Sequence, residues 1–313
     1  MMRNAVSEVL GYIYIFGIVM TVLAIVFIQV NSMVEDMKRS VLSQSLEKSF
    51  KRIQYLVYSV AFGDAPMQVA ELELQGGWIF LKQGEPEFII AFVNESQLES
   101  CNPLPQSFSL KCLNLSTGDI KDVSLCNGIF DAYACVFSRN AGVLRYEYKD
   151  WVLSMESGAV FSKYSSQEYS KLLYEPRILL NTTAANSRFL VITIPVLYSN
   201  ESFSAAGSGR FRFLLSEAEW EHAMIEGVNL GRGISWNNFT DCYVIVRGSE
   251  NQRAWCDFFD SFPLLNVSLK DKNCMGFEYC SCYRAEEPMA RVETEGFATT
   301  FVILFKNVTL KKV

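Results

Sequence analysis

The sequence predicts an α+β chain. A long N-terminal helix, transmembrane and then amphipathic, leads into a β-rich, disulfide-bonded globular head. Three observations carry this. Val9 to Val30 holds no charged residue. After Gly63-Asp64-Ala65-Pro66 the apolar spacing shortens from three and four residues to two. Nine cysteines fall in two clusters, both beyond that change.

At about 1.5 Å rise per residue, Val9–Val30 reaches roughly 33 Å, enough to cross a bilayer core. A cleaved secretory signal has an apolar core of about 7–15 residues followed by a small-residue cut. This run is longer, and Phe27-Ile28-Gln29-Val30 offers no such cut. An ordinary transmembrane anchor fits the length but leaves Glu8 at the hydrophobic edge, where an unpaired carboxylate is costly. Beyond Val30, the residues Val34, Met37, Val41, Leu42, Leu46, Phe50, Ile53, Val57 and Val60 recur at helical spacing between charged side chains. No proline interrupts before Pro66. The predicted helix covers residues 6–62, apolar over 9–30 and amphipathic over 31–62.

The head, residues 63–313, reads as strands, with a division into 63–200 and 201–313 as one possible arrangement. Val69 to Gln75 alternates, and a Gly76-Gly77 turn leads into Trp78-Ile79-Phe80-Leu81, which predicts a hairpin. Further strands are predicted at Glu87–Asn94, Ser107–Cys112, Val143–Ser154 and Ser157–Phe161. Phe189 to Pro195 is apolar enough for a central strand, ending at the proline. Gly209–Leu215 is predicted as a strand running into a short helix, where Ser216 and Glu219 form a capping box. Asp241–Arg247 and Phe297–Val308 complete the set.

Half the residues are apolar and a fifth charged, which excludes a disordered chain. A net charge of −6 without a basic run argues against nucleic acid. The first cysteine cluster is Cys101, Cys112, Cys126 and Cys135; the second is Cys242, Cys256, Cys274, Cys280 and Cys282. Disulfides within each cluster are favoured over structural zinc, because no C-x-x-C pair is present. The five cysteines of the second cluster leave one over, and connectivity is open. N-x-S/T sequons stand at Asn94, Asn114, Asn181, Asn200, Asn238, Asn266 and Asn307, an excess that predicts exposed, glycosylated loops on an exported surface.

No catalytic set emerges, and no cofactor or metal is expected. His222 is the one histidine; it reads as a packing or surface residue rather than a base, and no two-histidine metal set or Ser-His-Asp set is supported. Gly207-Ser208-Gly209 and Gly231-Arg232-Gly233 complete no nucleotide fingerprint. Glu217/Glu219 and Glu286/Glu287 read as solvated acidic pairs rather than glycosidase carboxylates. Tyr146, Tyr148, Trp151, Tyr164, Tyr169 and Tyr174 crowd one region; core and cross-strand packing is favoured there over an adhesive surface.

Arg3-Asn4-Ala5-Val6-Ser7-Glu8-Val9-Leu10-Gly11 resembles the class III, prepilin-type leader and mature start of archaeal type IV pilins and pilin-like proteins. Such leaders carry a short basic segment, a small residue before the cut, and then V-S-E/P-V-I/L-G opening a long apolar helix. Asn4 departs from the pattern, which has a charged residue there. The stretch from Ala61 to Gly77, the segment Gly158-Ala159-Val160-Phe161 and the strand with its acidic helix after Gly209 resemble a larger-headed group of these proteins.

The resemblance implies residues 1–5 as a leader, cut between Ala5 and Val6 by a prepilin peptidase. It gives Glu8 an assembly role, its carboxylate pairing with a Val6 amine of its own or a neighbouring chain. The implied protein is an exported structural subunit, a minor or specialised component of a type IV pilus-like filament or adhesion apparatus. Its partners are other pilin-like subunits, met through the N-terminal helix, and the membrane; its head is extracellular. The alternative is a single-pass, membrane-anchored surface glycoprotein that binds without polymerising. N-terminal sequencing of native protein is expected to start at Val6. A start at Met1 or Met2 would contradict the pilin leader, whereas a start one residue away would move only the register.

Overall fold

A computed structural model of the chain describes residues 2–63, 65–94, 101, 104, 107–115, 118–126, 131–182, 187–218, 223–230, 241–262, 265–266, 289–292 and 298–313. The chain falls into two compact units, residues 1–48 and 49–313. Helix α1 spans Met2–Phe62. In the first unit every residue from Ile13 to Val30 is exposed, and the helix is long and apolar enough to cross a membrane. Val34, Met37 and Val41 are exposed as well.

In the second unit the stripe is buried at Phe50, Ile53, Val57 and Val60. Two polar side chains fix this end of α1. Gln54 Nε2 donates to the carbonyls of Gly158 at 2.7 Å and Glu175 at 2.9 Å. The buried Tyr58 hydroxyl accepts the Arg177 amide at 2.9 Å, with the Arg177 guanidinium 4.5 Å above its ring. Burial pushes the Tyr58 phenol up to about 12. The helix stops at Gly63, whose amide still donates to Ser59 O at 3.1 Å, and Pro66 cannot continue it.

The strands follow in chain order. They begin with β1 (Met67–Glu73), β2 (Trp78–Lys82), β3 (Glu87–Asn94), β4 (Ser109–Asn114), β5 (Ile120–Lys121) and β6 (Asp131–Asn140). Next come β7 (Val143–Tyr148), β8 (Trp151–Glu156), β9 (Ala159–Tyr164), β10 (Lys171–Tyr174), β11 (Ile178–Thr182) and β12 (Ser187–Tyr198). Then follow β13 (Ser204–Ala206), β14 (Arg210–Glu217), β15 (Ala223–Leu230) and β16 (Asp241–Arg247). Helix α2 (Gln252–Ser261), β17 (Leu265–Asn266), β18 (Met289–Val292) and β19 (Ala298–Lys312) close the set.

They form three sheets. The first runs β1-β14-β19-β12-β11, with β15 also on β19; the second runs β10-β9-β8-β7-β2-β13; the third runs β17-β18-β16-β3-β6-β4-β5. Each sheet combines strands from before and after residue 200, so the head does not divide there. The first and third sheets share one core. Phe301 and Phe305 of β19 meet Phe92 of β3 and Phe137 of β6, with ring centroids 5.5 and 4.8 Å apart. Trp255, Phe258 and Phe259 of α2 extend that core to Phe161 of the second sheet.

Several expectations are corrected. The Gly76-Gly77 turn closes no hairpin, since β1 pairs with β14 and β2 with β7 and β13. Residues 67–80 instead form one long antiparallel ladder with 204–216, continued between the strands by Leu74 N to Gly209 O and Gly76 N to Gly207 O, both 2.8 Å. The glycines let that ladder kink from the first sheet into the second; a β-carbon on Gly77 would overlap the Tyr146 hydroxyl. The helix predicted from Ser216 is absent from the described residues around it: Ser216 and Glu217 continue β14, and Ala223 begins β15. Pairing with β19 overrides the local capping signature. Residues 219–222, including Glu219 and His222, lie outside the described residues.

Strand β12 also runs through Pro195 to Tyr198. The Thr193 and Leu197 amides donate to Arg177 O and Ala141 O, away from β19. By alternation the nitrogen of Pro195 faces that same side, so the ladder to β19 needs no donor from it. Helix α2 is an addition to the elements expected from the sequence, and it holds Cys256 of the second cysteine cluster.

In the first cluster Cys101 bonds Cys135 and Cys112 bonds Cys126, with Cα separations of 5.5 and 5.8 Å. Cys256 is disulfide-bonded to a partner outside the described residues, where Cys274, Cys280 and Cys282 lie. Cys242 is buried and free.

The docking of α1 rests on Gly158, which has φ +81° and leaves no room for a β-carbon beside the Tyr58 hydroxyl. Gly158→Ala is expected to destabilise the protein by about 1–3 kcal/mol, read as a lower urea midpoint at unchanged slope. Adding Tyr58→Phe should recover part of the loss.

Candidate functional site

A concavity lies over one face of the second sheet, where the β16–α2 corner meets it. Gly248, with φ +71°, turns the chain out of β16, and Ser249, Glu250 and Asn251 lead into α2. Glu156, the last residue of β8, is 1% exposed. Its Oε1 accepts hydrogen bonds from Ser249 Oγ and, at 2.5 Å, from Trp255 Nε1. The Ser249 hydroxyl in turn accepts the Asn251 amide at 3.0 Å, and Asn251 Nδ2 donates to Ser154 Oγ at 3.2 Å. Burial raises the Glu156 carboxyl above the ordinary glutamate value, outweighing the donors that favour its charge. With Oε1 doubly occupied and the side chain enclosed, this carboxyl ties α2 to the sheet.

Outward from this corner is a groove of about 250 Å³. Glu250 bridges its rim, pairing with Arg145 and, at 3.3 Å, with Lys82. Lys82 also meets Glu85 at 2.9 Å, and Arg145 Nε meets Glu147 at 2.6 Å. Burial alone would raise the Glu250 carboxyl, but Arg145 and Lys82 together hold it below the usual range. Ser154 and Asn251 supply neutral polar groups, and Val143 and Val152 an apolar floor.

The residues singled out from the sequence scatter. Ala5, Val6 and Glu8 belong to the first turns of α1, and their side chains lie outside the described part. Asn200 is exposed just after β12, and Asn114 is half-buried at the end of β4. Asn307 departs from the exposed-loop expectation: it is 5% exposed in β19, because that strand is covered in the core. Asn94, Asn181 and Asn266 end or occupy strands and their side chains are outside the described part, as is all of Asn238. Glu217 pairs with Lys306 at 2.9 Å, while Glu286 and Glu287 lie outside the described residues. Among the described residues no cluster of His, Cys, Asp and Glu could hold a metal ion.

Of the aromatic group, Tyr146 and Trp151 are core and make cross-strand contacts, and Tyr169 is exposed. The corner of Glu156, Ser249 and Trp255 was missed. Its legible signal was the Ala254, Trp255, Phe258 and Phe259 spacing of an amphipathic helix.

Residues 4–261 match a family described as a family of unknown function, DUF7289. The chain belongs to DUF7289. The matched region takes in α1, the groove and the whole Glu156 corner, ending at the last residue of α2. An uncharacterized protein of Archaeoglobus fulgidus is 49% identical over 314 residues, covering 98% of this DUF7289 chain and 99% of the relative. No solved structure matches it.

Because folded Glu156 holds its proton more tightly than the unfolded chain, its contribution is fully present below about pH 4.5 and is lost as pH rises through the raised folded value. Glu156→Gln keeps an oxygen for Ser249 and Trp255 and cannot ionise. Its stability relative to wild type is therefore expected to increase with pH, measured as urea midpoints across that range. Glu156→Ala leaves the Trp255 N–H buried and unpaired and should cost about 1–3 kcal/mol.

Proposed function

We propose that this DUF7289 chain is an exported, membrane-inserted structural subunit of the pilin-like kind. It acts in a type IV pilus-like surface filament or adhesion apparatus, with its head outside the cell. One observation carries the reading: a single helix is wholly exposed and apolar over Ile13–Val30, yet buries Phe50, Ile53 and Val57 in the head unit. An apolar surface of that length needs lipid or other apolar helices around it. The leader-like residues before it, disulfides in the head and an exposed sequon at Asn200 support export. The large head favours a specialised over a major subunit. The second reading, an anchored binding module that does not polymerise, is favoured by the groove on the second sheet.

Glu8 separates the two. After leader removal the Val6 amine and the Glu8 carboxylate would both stand at the start of an apolar helix, where each is costly alone and the pair offset one another. Glu8→Gln is expected to leave membrane insertion and head melting unchanged. It should cut recovery in filaments or large assemblies roughly tenfold or more, since an unpaired buried charge costs several kcal/mol. Assembly equal to wild type would remove the pairing from the account. A wild type that stays monomeric in native membranes would favour the binding module.

A further inference from the structure

The face of the second sheet that carries the groove also carries an aromatic platform. Along β2, Trp78, Phe80 and Lys82 point to one side, the side shared with Arg145 across the ladder. Trp78 is 44% exposed and stacks on Phe80 with centroids 4.2 Å apart. Ile79, on the opposite side, is fully buried, so the exposure of Trp78 is not a property of the whole strand. From Trp78 one row crosses the sheet through Glu147 and Val152 to Lys163. Three strand spacings separate its ends, about 14 Å.

The charges on this face are unevenly used. Lys82 and Arg145 are engaged with Glu85, Glu147 and Glu250. Lys163 has no carboxylate partner among the described residues, and Lys149 lies over the Tyr148 ring, 5.4 Å from its centroid. Both line the groove. The lining sets Lys82, Arg145, Lys149 and Lys163 against Glu85, Asp150, Glu156 and Glu250, and of these carboxylates Glu85 and Glu250 are turned to Lys82 and Arg145.

We propose that this face binds an acidic oligosaccharide, laid across the strands with one ring stacked on Trp78 and a carboxylate at Lys163. Sugar rings present apolar C–H faces that suit an exposed indole, and their hydroxyls suit Ser154, Ser165 and Asn251 along the groove. A lysine without a partner supplies a charge-assisted contact that need not first be broken out of an existing pair. The span between Trp78 and Lys163 suits a short chain rather than a monosaccharide. Neither the helix nor its assembly enters this argument.

Full-length protein in detergent should be titrated with tetragalacturonic acid, with neutral cellotetraose and with monomeric galacturonate. The acidic tetramer is expected to bind saturably, about tenfold or more tighter than either comparator. Lys163→Gln should bring its affinity down to that of cellotetraose, and Trp78→Ala should weaken both tetramers about tenfold. Both side chains stand at the surface, and unchanged melting of the variants verifies the fold; if Trp78→Ala melts early, Lys163→Gln alone decides. No saturable binding, equal binding of the neutral tetramer, or an unaffected Lys163→Gln variant would each overturn the proposal. Such a failure leaves the role of α1 untouched, whereas loss of assembly with sugar binding intact would count against the filament alone.

Discussion

The uncharged stretch from Val9 to Val30 cannot remain in water, and much else in the chain answers to that constraint. A helix apolar all round requires surroundings without water. The same helix then acquires a polar side, because its last turns bury one face and leave Lys51, Arg52 and Tyr55 exposed. The change shows in the residues: Ile13–Val30 is exposed and apolar throughout, while Phe50, Ile53 and Val57 are buried on one face between Lys51, Arg52 and Tyr55. Gln54 and Tyr58 then add direction to a contact that apolar packing alone would leave free to slide.

The head solves a second problem, that of joining three sheets. Two of them share a core of phenylalanines, and the third is reached through α2. Trp255 does this with both halves of its side chain. Its ring packs against Phe88 and Phe161, and its N–H reaches Glu156 on β8. A carboxyl enclosed there is costly, and Ser249 and Trp255 offset part of that cost. The same corner raises the wall of the groove, so joining the sheets also shapes the face on which Lys149 and Lys163 stand.

Local patterning revealed much of this. The strands predicted at Glu87–Asn94 and Asp241–Arg247 coincide with β3 and β16, and Gly63-Asp64-Ala65-Pro66 marks the end of α1. What stayed hidden depends on distant partners. Nothing near Ser216 says that β19 will hold it extended, and nothing near Gly76 says that residues 204–216 will run beside it. Glu156 lies in a short stretch with no motif, and its meaning comes from Ser249 and Trp255, roughly ninety residues away in the chain. The groove was equally illegible, because Trp78 and Lys163 meet only through the order of four strands.

The kinked ladder of residues 67–80 against 204–216 has a mechanical meaning. It is the first β structure after α1, and it belongs to two sheets at once. Load passing the contacts of Gln54 and Tyr58 would reach β1 next and be shared there: through β14 to β19 in one sheet, and through β2 to β7 in the other. A load divided in this way must unzip two sets of backbone hydrogen bonds together rather than one after another. That arrangement resists being peeled open from β1.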